Sequence, residues 1–254
     1  MPILGLSEAT LRGRSSEDLR KNNREDQIAH GSWTTLEYFM AITVDAYMAG
    51  LTCRIPSLHL IAWGGPMEDE ILAICAMFSD ALPSHFRLAL RPAHVDYLAA
   101  LFYERAELFS SLSSLELRLD LADMPFDFKS FLDTIGTALQ RLSIASLQVE
   151  IKCLTHLSSK RSESYCRSIG TPRATCYTLE AMANEEIEGR MRYFLKKVPT
   201  LRRVTIAWGQ CVFSVPNHVI TMDLDSVPHI SERVGRPGDK YWQDGYHNWG
   251  IAIG

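Results

Sequence analysis

Leu112-Ser113-Ser114-Leu115-Glu116-Leu117-Arg118-Leu119-Asp120 is the stretch on which the fold turns. Its leucines at 115, 117 and 119 alternate with charged residues, the pattern of a strand with one dry face and one wet face. Phe109, Leu112 and Leu115 lead into it at spacings of three, so a helical exit runs directly into the strand. Strands at the centre of a doubly wound sheet are covered on both faces and read as continuous apolar runs. Here Arg87-Leu88-Ala89-Leu90-Arg91 and Leu147-Gln148-Val149-Glu150-Ile151 alternate as well. The spacing therefore predicts a parallel sheet with helices on one side only.

The same beat extends in both directions. Leu58 to Trp63 reads as a strand, followed by Gly64-Gly65-Pro66 and a helix from about Met67 to Phe78. Pro66 near its first turn, with Glu68, Asp69 and Glu70 beside the positive end of the helix dipole, is favourable starting chemistry. Phe86 to Leu90 leads through Pro92 to a helix aligning Val95, Leu98, Leu101, Phe102, Leu108 and Phe109. After Met124-Pro125 comes a helix carrying Phe128, Phe131, Leu132, Ile135 and Leu139. Leu139, Leu142 and Ile144 then repeat the three-then-two spacing, as do Leu195, Val198, Leu201, Val204 and Ile206. With Leu60, Ala89, Leu117 and Ile144 as strand centres, the steps are 29, 28 and 27 residues, and the step to Thr205 is 61. The long last step accommodates an inserted loop at 158–177, which is rich in Ser, Arg and turn residues.

The ends read differently. Residues 1–31 are polar and of mixed charge, with few large apolar side chains, and are expected to form a mobile segment. Trp33, Leu36, Phe39, Met40, Val44, Tyr47 and Met48 recur at helical spacing, so 32–50 is predicted as a capping helix with Ser32 at its start and Gly50 as its stop. Residues 225–254, with Tyr241, Trp242, Tyr246 and Trp249, are assigned to a C-terminal cap over the last open edge.

Leu-x-x-Leu-x-Leu in units of this length resembles the leucine-rich repeat, in the degenerate form of fungal F-box and leucine-rich-repeat proteins. The resemblance covers roughly residues 51 to 224 and rests on the repetition, without the Asn or Cys that often follows in the family motif and without a visible F-box. It implies an α/β solenoid, a curved parallel sheet with helices on one face, and a non-enzymatic protein-binding role. By extension it implies substrate recognition in a cullin-type ubiquitin ligase. On that fold His59, Arg87, Arg91, Glu116, Arg118, Asp120 and Arg203, with Ser143, line the concave ridge as partner-contacting residues. The competing explanation is that these charges keep an exposed sheet soluble and pair across neighbouring strands.

Composition narrows the function classes. A chain of 254 residues, 46% apolar and 22% charged, has the mass for a real core. Its formal charge of -4 and pI near 6.1 give no electrostatic ground for nucleic acid or an anionic membrane as partner. Cys53, Cys75, Cys153, Cys166, Cys176 and Cys211 form no Cys-x-x-Cys pair, which argues against structural zinc. No secretory signal or membrane span is read, so reduced thiols and an intracellular, cytoplasmic or nuclear, location are expected. The expected partner is another protein, with ligase components as one class, and no cofactor or metal is expected.

Motifs of catalysis are not found: no Gly-x-Ser-x-Gly, His-Glu-x-x-His, phosphate loop or Gly-x-Gly-x-x-Gly occurs. Gly64-Gly65-Pro66 reads as a turn, because Glu68, Asp69 and Glu70 would repel a phosphate. Asp223-Leu224-Asp225 places two carboxylates on one strand face, which suits either metal or acid–base work or a solvated edge. The alternative to a binding module is an α/β enzyme with its site at the strand carboxyl ends, near Gly64, Asp120 and Gly209. Finally, Ile61-Ala62-Trp63-Gly64 recurs at Ile206-Ala207-Trp208-Gly209. Aligning the two words sets His59 against Val204, a conflict of register that only a bulge or coincidence resolves.

Overall fold

The computed structural model describes residues 15–31, 33–62, 64, 66–91, 94–95, 97–121, 128–154, 184–211, 218–224 and 229–231. It is an α/β protein built on a mostly parallel sheet of eight strands. These are β1 (Tyr38–Ile42), β2 (Ser57–Ile61), β3 (His85–Leu90), β4 (Ser114–Leu121), β5 (Ser146–Leu154), β6 (Arg203–Cys211), β7 (His218–Asp223) and β8 (His229–Ser231). They lie side by side in chain order, β1 to β6 parallel and the last two antiparallel. A doubly wound sheet reverses its strand order at a switch point. Strand order that follows chain order, with crossovers of one hand, keeps the connections on one side.

The helices are α1 (Ser16–His30), α2 (Thr43–Ala49), α3 (Met67–Ala81), α4 (Phe128–Ala138) and α5 (Asn184–Lys197). Between β3 and β4 the chain makes a π-helical turn at Ala99–Tyr103 and a 3-10 turn at Ala106–Phe109. Ile74 and Phe78 of α3, Leu101 and Phe102, Phe131 and Ile135 of α4, and Ile187, Met191 and Phe194 of α5 join the inward strand residues in one buried cluster. Three strand rows supply its floor, the shortest being Leu90, Leu119, Ile151 and Trp208. Leu58, Phe86, Leu115, Leu147, Val204 and Met222 form a second, and Leu60, Leu88, Leu117, Val149, Ile206 and Ile220 a third. Among the described residues none of the opposite strand face belongs to the cluster.

The repeating element is visible in the hydrogen bonds that enter each strand. Leu112, Leu142 and Leu201 each donate their N–H to the carbonyl three residues back, at 3.0 Å in all three cases. Just before each strand, Ser113, Ala145 and Arg202, which lie one, three and one residues further on, each donate to the preceding unit, to Ser84, Ser113 and Ala145, at 2.8 Å. Buried Leu112, Ile144 and Leu201 stand three residues before Leu115, Leu147 and Val204, so the Leu-x-x-Leu-x-Leu spacing marks one recurring turn into a strand.

Several expectations need correction. Residues in register with Leu60 are Leu88, Leu117, Val149 and Ile206, so the steps are 28, 29, 32 and 57, and Ile144 precedes its strand. Residues 16–30, read as part of a mobile lead-in, form α1. That segment is held by polar contacts, which a search for large apolar residues does not detect. The expected helix over 32–50 is a strand followed by a helix, because Tyr38–Ile42 pairs in parallel with β2 and the lattice of the sheet overrides a weak helical period. Gly50 does end α2, at φ 61° and ψ 30°. The shared tetrapeptide is a coincidence: pairing is continuous through β2 to β6, with Ile61 in the row of Ala207 and His59 in the row of Thr205, and no bulge. Trp208 is buried on the core face. Trp63, the inserted loop at 158–177 and the aromatic residues after 231 lie outside the described residues.

Candidate functional site

The face opposite the helices carries three rows fixed by strand register, two of them mainly polar. Tyr38, Ser57, His85, Ser114, Ser146, Arg203 and Asp223 form the first. Met40, His59, Arg87, Glu116, Gln148, Thr205 and Thr221 form the second. Ile42, Ile61, Ala89, Arg118, Glu150, Ala207 and Val219 form the third, polar only at Arg118 and Glu150. Parallel strands about 4.8 Å apart bring side chains of one row into direct contact.

Arg87 is the hub. Its Nη2 lies 2.5 Å from Glu116 Oε1 and 3.3 Å from Glu150 Oε2. Gln148 Nε2 donates to Glu116 Oε1 at 3.0 Å. Glu150 is only 1% exposed, and Glu116, Arg118 and His59 are also buried. Burial alone would lower the Arg87 guanidinium, but Glu116 and Glu150 outweigh it and hold it above its ordinary value. Burial raises the Glu116 carboxyl, against the pull of Arg87. Two arginines and two glutamates in adjacent rows compensate each other, as buried charge requires.

Beside this group the His59 ring meets Tyr38 edge-on at 4.6 Å and His85 at 5.5 Å. Burial, then the charge of Arg87, then His85 push His59 down to about 3, so the ring is neutral at ordinary pH. His85 is lowered by burial and by Arg87. Among the described residues His59 Nδ1 and Arg87 Nε find no hydrogen-bond partner.

Of the residues chosen from sequence, His59, Arg87 and Glu116 stand side by side, and Arg118 lies one row on, in register with Glu150. Asp120 occupies the row beyond, in register with Lys152. Arg203 is at the far end of the first row, its Nε donating to Asp223 Oδ1 at 2.6 Å. Asp223 is therefore engaged in an ion pair, and Asp225 lies outside the described residues. Arg91 is exposed beyond the end of β3, and Ser143 is exposed in the turn before β5, so neither belongs to the rows. His85, Gln148 and Glu150 were missed. Strand parity could have found all three, since each is an even number of residues from Arg87 or lies in the alternation around Val149.

A second polar group sits at the carboxyl ends of β2 and β3, near Gly64. His94 Nδ1 accepts from the Arg91 N–H at 3.2 Å, and its ring is 5.7 Å from Tyr97. Glu70, in the first turns of α3, is buried, and the buried Tyr97 hydroxyl has no hydrogen-bond partner among the described residues. Burial, with the Glu70 charge second, raises the Tyr97 phenol. An open groove of about 490 Å³ lies elsewhere, between Ala99 and the α4 residues Lys129, Asp133 and Thr137.

No family model matches this chain, and no curated protein and no solved structure is significantly similar to it. Among the described residues no group of three or more His, Cys, Asp or Glu is arranged to hold a metal ion, and no helix is long and apolar enough to cross a membrane.

Proposed function

We propose that this protein is a non-enzymatic protein–protein interaction module, a leucine-rich-repeat-like solenoid whose polar sheet face contacts another protein. One observation carries this: the helices share a single core with one face of the sheet, while the other face presents register-matched polar rows from β1 to β7. Stacked units of this kind present a continuous surface wide enough for a macromolecule. Within it the central charges Arg87, Glu116 and Glu150 bind one another, so they set the shape and rigidity of the surface. Contact with a partner falls to the accessible members of the first row, Tyr38, His85 and Arg203, with Arg203 at 59% side-chain exposure.

The sequence resemblance adds a partner class to test first, substrate recognition in a cullin-type ubiquitin ligase. Chemical cross-linking of affinity-captured complexes, read by mass spectrometry, checks the geometry. Partner cross-links concentrated on the first row and its neighbours support the proposal. Cross-links confined to the outer surfaces of α3 to α5 oppose it. Glu70, His94 and Tyr97 favour a second reading, a small-ligand site at the strand carboxyl ends. It predicts that a substrate analogue which raises the melting temperature of the native chain no longer does so in His94→Ala.

A further inference from the structure

We infer that the C-terminal end of α2, together with Asp80, is a docking site for a helix with one basic and polar face, filled in cis by α1, which is released from it as a unit. The geometry of both partners points to this. Helix α1 starts itself: Ser15 Oγ accepts from the Asp18 N–H at 3.1 Å and Asp18 Oδ2 from the Ser15 N–H at 3.3 Å, a complete capping box. Its grip on the rest of the chain is almost wholly polar. Leu19 is its one buried residue, and Ile28 is 77% exposed.

The dock is the set of carbonyls at the end of α2, where a helix runs short of its own donors; Tyr47 O also accepts from the Gly50 N–H at 3.2 Å. Arg20 Nη1 donates to Tyr47 O at 2.7 Å and Asn23 Nδ2 to Met48 O at 2.7 Å. Gln27 Nε2 donates to Ala49 O at 3.1 Å and to Gly50 O at 3.3 Å. These carbonyls form the negative end of the α2 dipole, and Asp80 of α3 adds a full negative charge beside them. Arg20 pairs with that carboxylate, and Arg24 Nη1 lies 2.7 Å from it. The Arg20 guanidinium also lies 4.6 Å over the Tyr47 ring. Arg20, Asn23, Arg24 and Gln27 follow the i, i+3, i+4, i+7 spacing of one helical face, which is the recognition face for this dock.

Gly50 makes the fit specific. At φ 61° it closes α2, and a Cβ there would stand 2.8 Å from Arg20 O and 2.9 Å from Arg24 Cγ. The backbone of α1 therefore rests on the one residue of the dock that has no side chain. A segment held by charge-assisted hydrogen bonds, with a single apolar anchor, belongs to the low-stability end of a fold and opens locally while the core stays closed.

Native-state hydrogen exchange on the full-length chain tests this. In wild type, the amides of 19–30 should exchange through an opening that leaves β3 to β6 protected. Arg20→Ala with Arg24→Ala should speed their exchange roughly tenfold to a hundredfold, with strand protection unchanged. A fluorescent peptide of residues 15–31 should then bind this double variant, and binding should be lost on adding Asp80→Asn. Strands that lose protection together with α1 would show that the helix is an integral part of the core and overturn the inference. So would unchanged exchange in the double variant, or peptide binding indifferent to Asp80.

Discussion

Arg87, chosen as a contact, is held within the sheet face by two buried carboxylates. Its guanidinium compensates Glu116 and Glu150, and removing it leaves two buried carboxylates facing each other. Arg87→Ala is expected to cost about 3–5 kcal/mol in denaturant unfolding, the range for breaking a buried pair from one side. Arg203→Ala, at the exposed end of the first row, should leave the unfolding midpoint unchanged. The histidines predict the acid behaviour. His59 is held at about 3, below its ordinary 6.5, and His85 is also lowered. Between about pH 6.5 and 3 the unfolded chain then binds more protons than the folded one, so stability falls as the pH falls across that window. Glu116, held above its ordinary value, binds its proton more tightly when folded and acts in the opposite sense. His59→Gln should flatten the acid limb of the melting temperature against pH, and Glu116→Gln should steepen it. An unaltered limb in both variants would place the acid sensitivity elsewhere.

At the scale of elements, the sequence reveals most where one period dominates. The start of α3 at Met67 and the strands β2 to β5 are readable because Pro66, the first-turn acids and the alternating leucines all agree. Helix α1 and strand β1 are not, because one is held by side-chain hydrogen bonds to distant carbonyls and the other by pairing with β2. The first leaves no apolar period in its own segment, and in the second the apolar residues from Trp33 to Met48 carry a helical period that does not report the pairing. The end of α3 holds a local strain: Leu82 adopts φ 47° and ψ 55°, a left-handed conformation that glycine takes without steric cost, and it is 54% exposed. Leu82→Gly is expected to stabilise the fold by about 0.5–1 kcal/mol, offset in part by the greater freedom of glycine when unfolded. A lower unfolding midpoint in that variant would mean that the Leu82 side chain contributes more than its exposure suggests.

For the whole molecule, the information lay in a plain beat rather than in the conspicuous word. Ile-Ala-Trp-Gly occurs twice yet sits one residue out of register, while Leu-x-x-Leu-x-Leu marks the turn into three successive strands. The candidate surface was legible to the extent that strand parity assigns faces. The pairing within it was not, since which arginine reaches which glutamate depends on register across strands 63 residues apart in the chain, as for Arg87 and Glu150. The proposed role of the polar sheet face is to hold another protein. Quantitative affinity capture tests it most directly, comparing wild type with a first-row variant, Tyr38→Glu/His85→Glu/Arg203→Glu, and an outer-helix variant, Leu72→Glu. All three should first show the same circular dichroism. One set of partners should be recovered with wild type and the outer-helix variant and lost with the first-row variant; recovery undiminished by the first-row substitutions would show that the polar face is not the contact surface.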